Sequence, residues 1–457
     1  MELTDRKNIY FLGIGGIGMS ALARYFHSSG YNVSGYDRTS SAITDQLSHE
    51  GIQVFFEDKL SSVKDEFIQN PIQTIVIYTP AIPDQNQLMN YFKDQNYKMY
   101  KRSEMLGEVT RNTINLSVAG THGKTTTSSI VASIFQQSKF SFSAFLGGIS
   151  ANLNSNYFRQ DIGGDDFSIT EADEFDRSFL YLKPTYSVIT STDADHLDIY
   201  GSKEDLEQSY IEYSKLISNT SHLFYAKNKA ENIRGVSYSV NAHKADFYTS
   251  VRVQNSAGTH FDICNHLGEI YIHDLFISLP GIHNLENALG AALMCRKAGI
   301  GLDAIRKGLK DFKGIKRRFE YVIDRDDLLY IDDYAHHPSE LKAIILSVRS
   351  LYPKRKITAI FQPHLYTRTQ DFMSDFAAEL SRVDHLILLP IYPARELPIE
   401  GVTSEALLQK IDHDDAMCIR QNQVINDLRS RDLDILLTLG AGDIDQLVEP
   451  IYENYGK

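Results

Sequence analysis

Cysteine is scarce in this chain: Cys264, Cys295 and Cys418 are the only three in 457 residues, far apart and without metal-type spacing. That argues against a disulfide scaffold or a cysteine-built metal site and leaves three reduced packing residues of a cytosolic protein. Positive charge is short as well, with 46 Lys plus Arg against 59 Asp plus Glu and a formal net charge of −13. Neither a nucleic acid nor an anionic membrane is a natural partner, and any phosphate ligand has to be held by local features. No run approaches the roughly 18 uninterrupted apolar residues of a membrane span. The start, MELTDRKNIYFLGIGG, lacks the charged-then-apolar design of a secretion signal. Low-complexity tracts and a solenoid period are also missing. What remains is a chain expected to be soluble and cytoplasmic, with 42% apolar residues. Its length suits about three domains, each with its own core.

What is present centres on INLSVAGTHGKTTTSSIVASIF, residues 114 to 135. An apolar, β-leaning run feeds a glycine turn that opens into a segment with helical spacing. Gly120 and Gly123 let backbone N–H groups converge on an anion, the helix N-terminus adds partial positive charge, Lys124 reaches terminal phosphates, and the Thr125 hydroxyl can hold Mg²⁺. Val118 stands where the first glycine of the usual P-loop pattern would be. Further on, the strand FSIT runs into Glu171, Ala172, Asp173 and Glu174. Carboxylates at a strand end beside a P-loop suit Mg²⁺, although a solvated acidic turn has the same pattern. After the strand YSVITST, Asp193, Asp195, His196 and Asp198 cluster as candidate ligands of a second metal.

Upstream, NIYFLG leads into Gly13, Gly15 and Gly18, which spell GxGxxG, while Met19, Leu22, Ala23 and Phe26 mark one helical face. A second strand ends at Asp37, about 20 residues past the glycines. By itself this suits a nicotinamide or flavin enzyme, and equally any close approach of backbone to a diphosphate. The turn Thr79 to Pro83 is either a ligand-facing turn at the carboxyl edge of that sheet or a plain proline stop. Residues 221 to 280 read as short strands and turns, an antiparallel patch. His283, Asn284 and Asn287 occupy the first turn of an alanine-rich helix, where Asn either caps or reads an adenine edge. Lys316, Arg317 and Arg318 are a linker or a phosphate clamp. The last third alternates strand and helix as a second doubly wound sheet. Asp332, Asp333, His336, His337, His364, Arg368, Gly440, Gly442 and Asp443 all fall at its strand ends.

A P-loop between two nucleotide-type sheets suits ATP-driven joining: a carboxylate becomes an acyl phosphate, an amine attacks, and phosphate leaves. A dehydrogenase would leave Lys124, Thr125 and Glu171 unexplained, and a nucleotide switch would leave the outer domains idle. The runs GIGGIGMSALA, AGTHGKTTT, ITEADEFD, DHLDIYG, HNLENALGAA, GIKRRFE, DDYAHHPSE, FQPHLYTRT and GAGDI together resemble the Mur ligase family, in order and over nearly the whole chain. The resemblance implies an α/β fold in three domains. Residues 1–107 would form an N-terminal Rossmann-like domain and 108–314 a central P-loop ATPase-type domain, whose mixed sheet carries the antiparallel patch. Residues 315–457 would form a C-terminal Rossmann-like domain.

It further implies ATP and Mg²⁺ as cofactors and UDP-N-acetylmuramate and L-alanine as substrates, with a member that adds a whole murein tripeptide as the alternative. Gly13, Gly15, Gly16 and Gly18, with Asp37 and Thr79, would face the UDP-sugar. Gly120, Thr121, His122, Gly123, Lys124, Thr125 and Thr126 would hold ATP phosphates, with Arg318. Asn284 and Asn287 would face adenine and Asp333 the ribose. Thr125 and Glu171 would hold one Mg²⁺ and His196 a second. His336 and Arg368 would sit near the incoming amino acid, Arg368 pairing with its carboxylate. One departure is Leu365, where many relatives have arginine. The carboxylate then rests on Arg368 alone or on another donor, which loosens the expectation for the amino acid, since one small group is worth only about 1–3 kcal/mol of discrimination.

Overall fold

The computed structural model describes residues 6–193, 200–227, 229–230, 232–240, 245–255, 257–394, 396–413 and 415–456. Three sheets follow one another along the chain, two in a first compact unit that runs to Lys313 apart from two short stretches, and the third in a second unit from Gly314. The fold is the expected three-sheet α/β arrangement.

The first sheet comprises β1 (Asn8–Leu12), β2 (Asn32–Tyr36), β3 (Gln53–Phe55), β4 (Thr74–Tyr78) and β5 (Lys98–Lys101), in the order β3-β2-β1-β4-β5. All four pairings are parallel. β1 is buried at every residue because both faces are covered, which is why it reads as one unbroken apolar run. The helix Ile17–Ser28 buries Met19, Leu22, Ala23 and Phe26, the spacing read from the sequence. Leu12 pairs with Tyr36 on one side and Tyr78 on the other, so the glycine loop, Asp37 and Thr79 leave from one edge.

The second sheet has β6 (Ile114–Ala119), β7 (Ser141–Ser150), β8 (Ser155–Gln160), β9 (Asp166–Ala172), β10 (Tyr186–Ile189), β11 (Leu223–Ala226), β12 (Val236–Ser239), β13 (Phe247–Asn255), β14 (Gly258–Asn265) and β15 (Ile270–Ile277). Their order is β15-β14-β13-β12-β11-β10-β6-β9-β7-β8. The sheet is mixed, as expected, and the strand-and-turn region after residue 221 is antiparallel in its last part and parallel in its first. β10, β11, β12 and β13 pair parallel in succession, whereas β7 with β8 and β14 with β15 are antiparallel. β11 and β12 are buried on both faces, the environment that parallel strands require. One core cluster runs through the first two sheets, joining Met19, Phe26 and Met105 to Phe145, Tyr157 and Phe179.

The third sheet, in the second unit, has β16 (Glu320–Asp324), β17 (Leu329–Asp333), β18 (Ile357–Phe361), β19 (His385–Leu388), β20 (Ala416–Cys418) and β21 (Ile435–Leu439), ordered β16-β17-β21-β18-β19-β20. β16, antiparallel to β17, and β20 are edge strands too short or too polar to register as strands in the sequence. TRTQDFMSDFAAELSRV reads as one helix but forms two, Tyr366–Asp371 and Met373–Leu380, because Phe372 leaves helical geometry. Alternate strand residues feed two cores, Ile331, Phe361 and Leu437 on one face and Tyr330, Ile360 and Leu436 on the other. Among the described residues no helix is long and apolar enough to cross a membrane.

Candidate active site

β6 sits between β10 and β9, in the interior of its sheet, and delivers the loop Gly120–Gly123 from its carboxyl end. Gly120 has φ 133 and Gly123 φ 81, both in the left-handed range that side chains resist. Space is closed there too: a Cβ on Gly120 would fall 2.1 Å from Thr190 Oγ1, and one on Gly123 2.6 Å from Asn287 Oδ1. The loop is pinned from the end of β10. Thr121 N–H donates to Ser191 O at 3.1 Å, His122 N–H to Ser191 Oγ at 3.1 Å, and the two hydroxyls of Thr121 and Ser191 lie 2.8 Å apart. Thr190 Oγ1 donates to Ala119 O at 3.1 Å and also to His122 O. Thr190 and Ser191 were invisible as site residues in the sequence, because nothing in a strand-end ITST marks the loop it will support.

The helix Lys124–Gln136 follows, with no side chain capping its start and Thr125 buried in the first turn. First-turn N–H groups and the helix dipole therefore meet whatever lies over the loop. Lys124 Nζ donates to Gly120 O at 2.6 Å and lies 2.9 and 2.8 Å from the two Glu174 oxygens. Burial alone would depress its pKa, but Glu174, then Asp173 and Glu171, outweigh burial and the net direction is upward, so Lys124 is an ammonium. Asn284 and Asn287 are buried in the first and second turns of the helix Ile282–Lys297, Asn287 against Gly123.

Glu171 sits on β9 in register with Val118 of β6, one residue short of the loop on the neighbouring strand. Gly147 N–H donates to Glu171 Oε2 at 3.1 Å, and a Cβ at 147 would fall 2.1 Å from that oxygen. A carboxylate and the Thr125 hydroxyl on adjacent elements are hard oxygen donors, the chemistry Mg²⁺ takes. Among the described residues no group of three or more His, Cys, Asp or Glu is arranged around a metal. His196, expected at a second metal, lies outside the described residues, as do Asp195 and Asp198.

In the first sheet, Gly15 N–H donates to Asp37 Oδ2 at 2.8 Å, and a Cβ on Gly13 would meet Thr79 Cγ2 at 2.5 Å. The glycine loop, Asp37 and Thr79 are thus brought together. Arg102, unremarked in the sequence, packs on Gly18, where a Cβ would lie 2.9 Å from its Cδ, and donates to Asp173 Oδ2 at 3.0 Å. It ties the glycine loop to the acidic end of β9.

Within the second unit the strand-end residues divide. Asp332 is fully buried, accepting from Thr438 Oγ1 at 2.5 Å and Arg317 Nε at 3.3 Å, and Arg317 also donates to Gly440 O at 2.7 Å. Asp443 accepts from Gln362 Nε2 at 2.6 Å, and His337 caps the helix Pro338–Leu351. These are framework. Of the basic cluster, Arg318 is the half-exposed arginine, with Glu340 Oε1 3.5 Å from its Nη1. Asp333 accepts from Phe319 N–H at 2.7 Å and Ala335 N–H at 2.8 Å, and burial, opposed by Arg318, pushes its carboxyl up to about 6.

His336, His364 and Arg368 do converge. The two imidazole rings are 5.9 Å apart, and His336 Nδ1 lies 2.8 Å from Tyr334 O and 3.3 Å from Glu340 Oε2. Burial lowers the His336 pKa, with Glu340 opposing and Arg368 reinforcing; burial, then His336 and Arg368, pulls His364 down to about 4. Both rings are neutral at pH 7, and a His336 that donates through Nδ1 to the Tyr334 carbonyl turns Nε2 out as an acceptor. His364 Nδ1 is buried with no partner among the described residues. The Arg368 guanidinium has no hydrogen bond or ion pair among the described residues; only the backbone carbonyl is engaged, accepting from Phe372 N–H, which leaves the side chain open to an anion. Leu365 takes φ 71 and ψ 140, a backbone costly for a branched side chain, held by Leu365 N–H donating to Tyr392 O at 2.9 Å.

The first unit defines a nucleotide-phosphate-binding α/β protein, with a P-loop beside a strand-end carboxylate and a glycine loop on its other sheet, and the second unit, taken by itself, carries an arginine–histidine cluster. Family profiles described as Mur ligase family, catalytic domain, Mur ligase middle domain, and Mur ligase, glutamate ligase domain match residues 8–113, 118–295 and 317–442. This chain belongs to the Mur ligase family. It is 45% identical over 452 residues to a Flavobacterium johnsoniae protein named UDP-N-acetylmuramate–L-alanine ligase, covering 99% of this chain and 98% of that one. A Porphyromonas gingivalis protein of the same name is 44% identical, covering 97% and 98%. Among solved structures, the UDP-N-acetylmuramate-alanine ligase of Thermotoga maritima superposes with a TM-score of 0.83 at 26% identity, over 98% of this chain and 99% of that one. A murein peptide ligase from Psychrobacter arcticus shares the fold, with a TM-score of 0.71 at 20% identity over 98% and 99%.

Proposed function

We propose that this chain joins L-alanine to the carboxylate of UDP-N-acetylmuramate at the expense of ATP, in the cytoplasm, as a step of peptidoglycan precursor synthesis. The observation that carries this reading is the end-to-end identity with proteins named for that reaction. The γ-phosphoryl group of ATP passes to a carboxylate oxygen of the sugar, giving ADP and an acyl phosphate. The amine of L-alanine attacks the carbonyl carbon, phosphate leaves, and an amide remains. Gly120 to Thr126 cradle the phosphates, Lys124 supplies the positive charge that the transferring group needs, Asn284 and Asn287 serve adenine, and Asp333 and Arg318 the ribose and phosphate. Gly13, Gly15, Gly16, Gly18, Asp37 and Thr79 serve the UDP-sugar. Arg368 takes the carboxylate of L-alanine, and neutral His336 stands by its amine as an acceptor. Mg²⁺ held by Thr125 and Glu171, with His196 for a second ion, would neutralise charge on the phosphate oxygens.

The test is ADP release. It should require UDP-N-acetylmuramate and L-alanine together and vanish in Lys124→Ala. ADP release without an acceptor amine, or only with the murein tripeptide, would overturn the assignment.

A further inference from the structure

The P-loop lysine is already committed to partners inside the protein. Lys124 Nζ contacts both oxygens of Glu174 at 2.9 and 2.8 Å, Gly120 O at 2.6 Å and Thr121 O at 3.4 Å. Glu174 is 0% exposed, and Lys124 is nearly enclosed. A carboxylate is buried at such depth only where a counter-charge compensates it, and here the compensating charge is the one expected on nucleotide phosphates.

The segment around Glu174 is built to keep it in place. Asp173, just before it, accepts from Arg102 at 3.0 Å and from Phe175 N–H at 3.2 Å. The Glu174 carbonyl accepts from Tyr200 OH at 2.5 Å. Asp176 and Arg177, just after it, both take left-handed backbone, φ 52 and 53, a conformation that side-chain-bearing residues adopt at a cost. Phe179 then stacks on Tyr213 at 4.9 Å. Two consecutive strained residues between anchored neighbours mean that the position of the Glu174 carboxylate is imposed by the segment.

We propose that Glu174 is a positioning residue for Lys124: in the nucleotide-free protein it holds the lysine folded over its own loop, and the terminal phosphates of the nucleotide replace it as the lysine's partner. This rests on the reading that ATP binds at the P-loop. Binding is then an exchange of one anion for another on the same ammonium, and the displaced carboxylate becomes a like-charged neighbour of the phosphates. Removing its charge favours the nucleotide twice over, by freeing Lys124 and by removing the repulsion.

Calorimetric titration of the full-length protein with a non-hydrolysable ATP analogue tests the assignment. Glu174→Gln should tighten Kd by about tenfold, the scale of one charge-assisted contact. Its nucleotide-free melting point should fall while the upward shift on adding analogue grows. In turnover, KM for ATP should drop with kcat not raised, a split that a merely structural residue would not produce. Glu174→Asp, whose shorter carboxylate cannot reach Nζ in the same way, should move Kd in the same direction by less, and it carries the test if Glu174→Gln does not fold. Unchanged or weaker binding by the folded variants, with wild type binding and Lys124→Ala not, would overturn the role of Glu174 alone. Failure of the wild type to bind, or binding undiminished in Lys124→Ala, would overturn the P-loop reading itself.

Discussion

Replacing Gly147 by alanine should separate catalysis from folding at the carboxylate beside the P-loop. The new Cβ would lie 2.1 Å from Glu171 Oε2, 2.5 Å from its Cδ and 2.6 Å from Oε1, so the whole carboxylate has to retreat by about 1 Å or more to reach ordinary contact. Backbone strain does not enter, since Gly147 lies within a strand and outside the left-handed range. The charge-assisted bond from Gly147 N–H, 3.1 Å long, is lost or stretched, a cost of about 1.5–3 kcal/mol. The alanine recovers about 0.4–1 kcal/mol through the less flexible unfolded chain. The net loss of about 1–2 kcal/mol should lower Tm by only a few degrees. Displacing a phosphate-site carboxylate by an ångström should instead cost about 10²-fold in kcat. ADP release at saturating substrates, read beside a circular-dichroism melt, measures both. A variant with kcat within a few-fold of wild type would refute the role given to Glu171, and a variant that loses activity only because it unfolds would refute the claim that the overlap is local.

Two further predictions concern the second unit. His364 titrates near 4 in the folded protein and near 6.5 unfolded, so between those values the unfolded chain binds a proton that the native state refuses. Its contribution is present above pH 6.5 and is lost as pH falls to 4, by up to about 3 kcal/mol; urea midpoints at pH 7 and 4.5 should converge in His364→Gln relative to wild type, and an equal pH effect in both would contradict the burial argument. Leu365→Arg adds a second guanidinium next to His364 and should lower KM for L-alanine about tenfold with kcat little changed, by steady-state kinetics. An unchanged KM would mean that Arg368 already meets the carboxylate fully.

The P-loop, the glycine loop and the alternation of the last third were legible because each is local: the turn, the glycines and the helix periodicity lie within about 20 residues of one another. Arg318 could not be told from Arg317 by that route. They are adjacent in sequence, yet Arg317 turns into Asp332 and Gly440 while Arg318 stays half-exposed. In the same way, Asp332 and Asp333 are neighbours on β17 whose side chains alternate between a buried framework and the sheet's working edge. Among the short strands after residue 221, β14 and β15 form the expected antiparallel pair, but β11 and β12 are parallel, because strand composition carries no direction and burial on both faces suits a parallel strand.

By itself, then, the sequence determined the chemistry of the backbone loops: glycine at positions of positive φ, a lysine and threonine at a helix start, a carboxylate ending an apolar strand. Tertiary structure alone decided what those groups face. Glu174 meets Lys124 across 50 residues, Ser191 supports Thr121 across 70, and Gly147 makes room for Glu171 across 24. The physical reason is that a loop's conformation is set by its own dihedrals, whereas the charge balance of a buried site is set by whichever distant strand ends the sheet order brings alongside it.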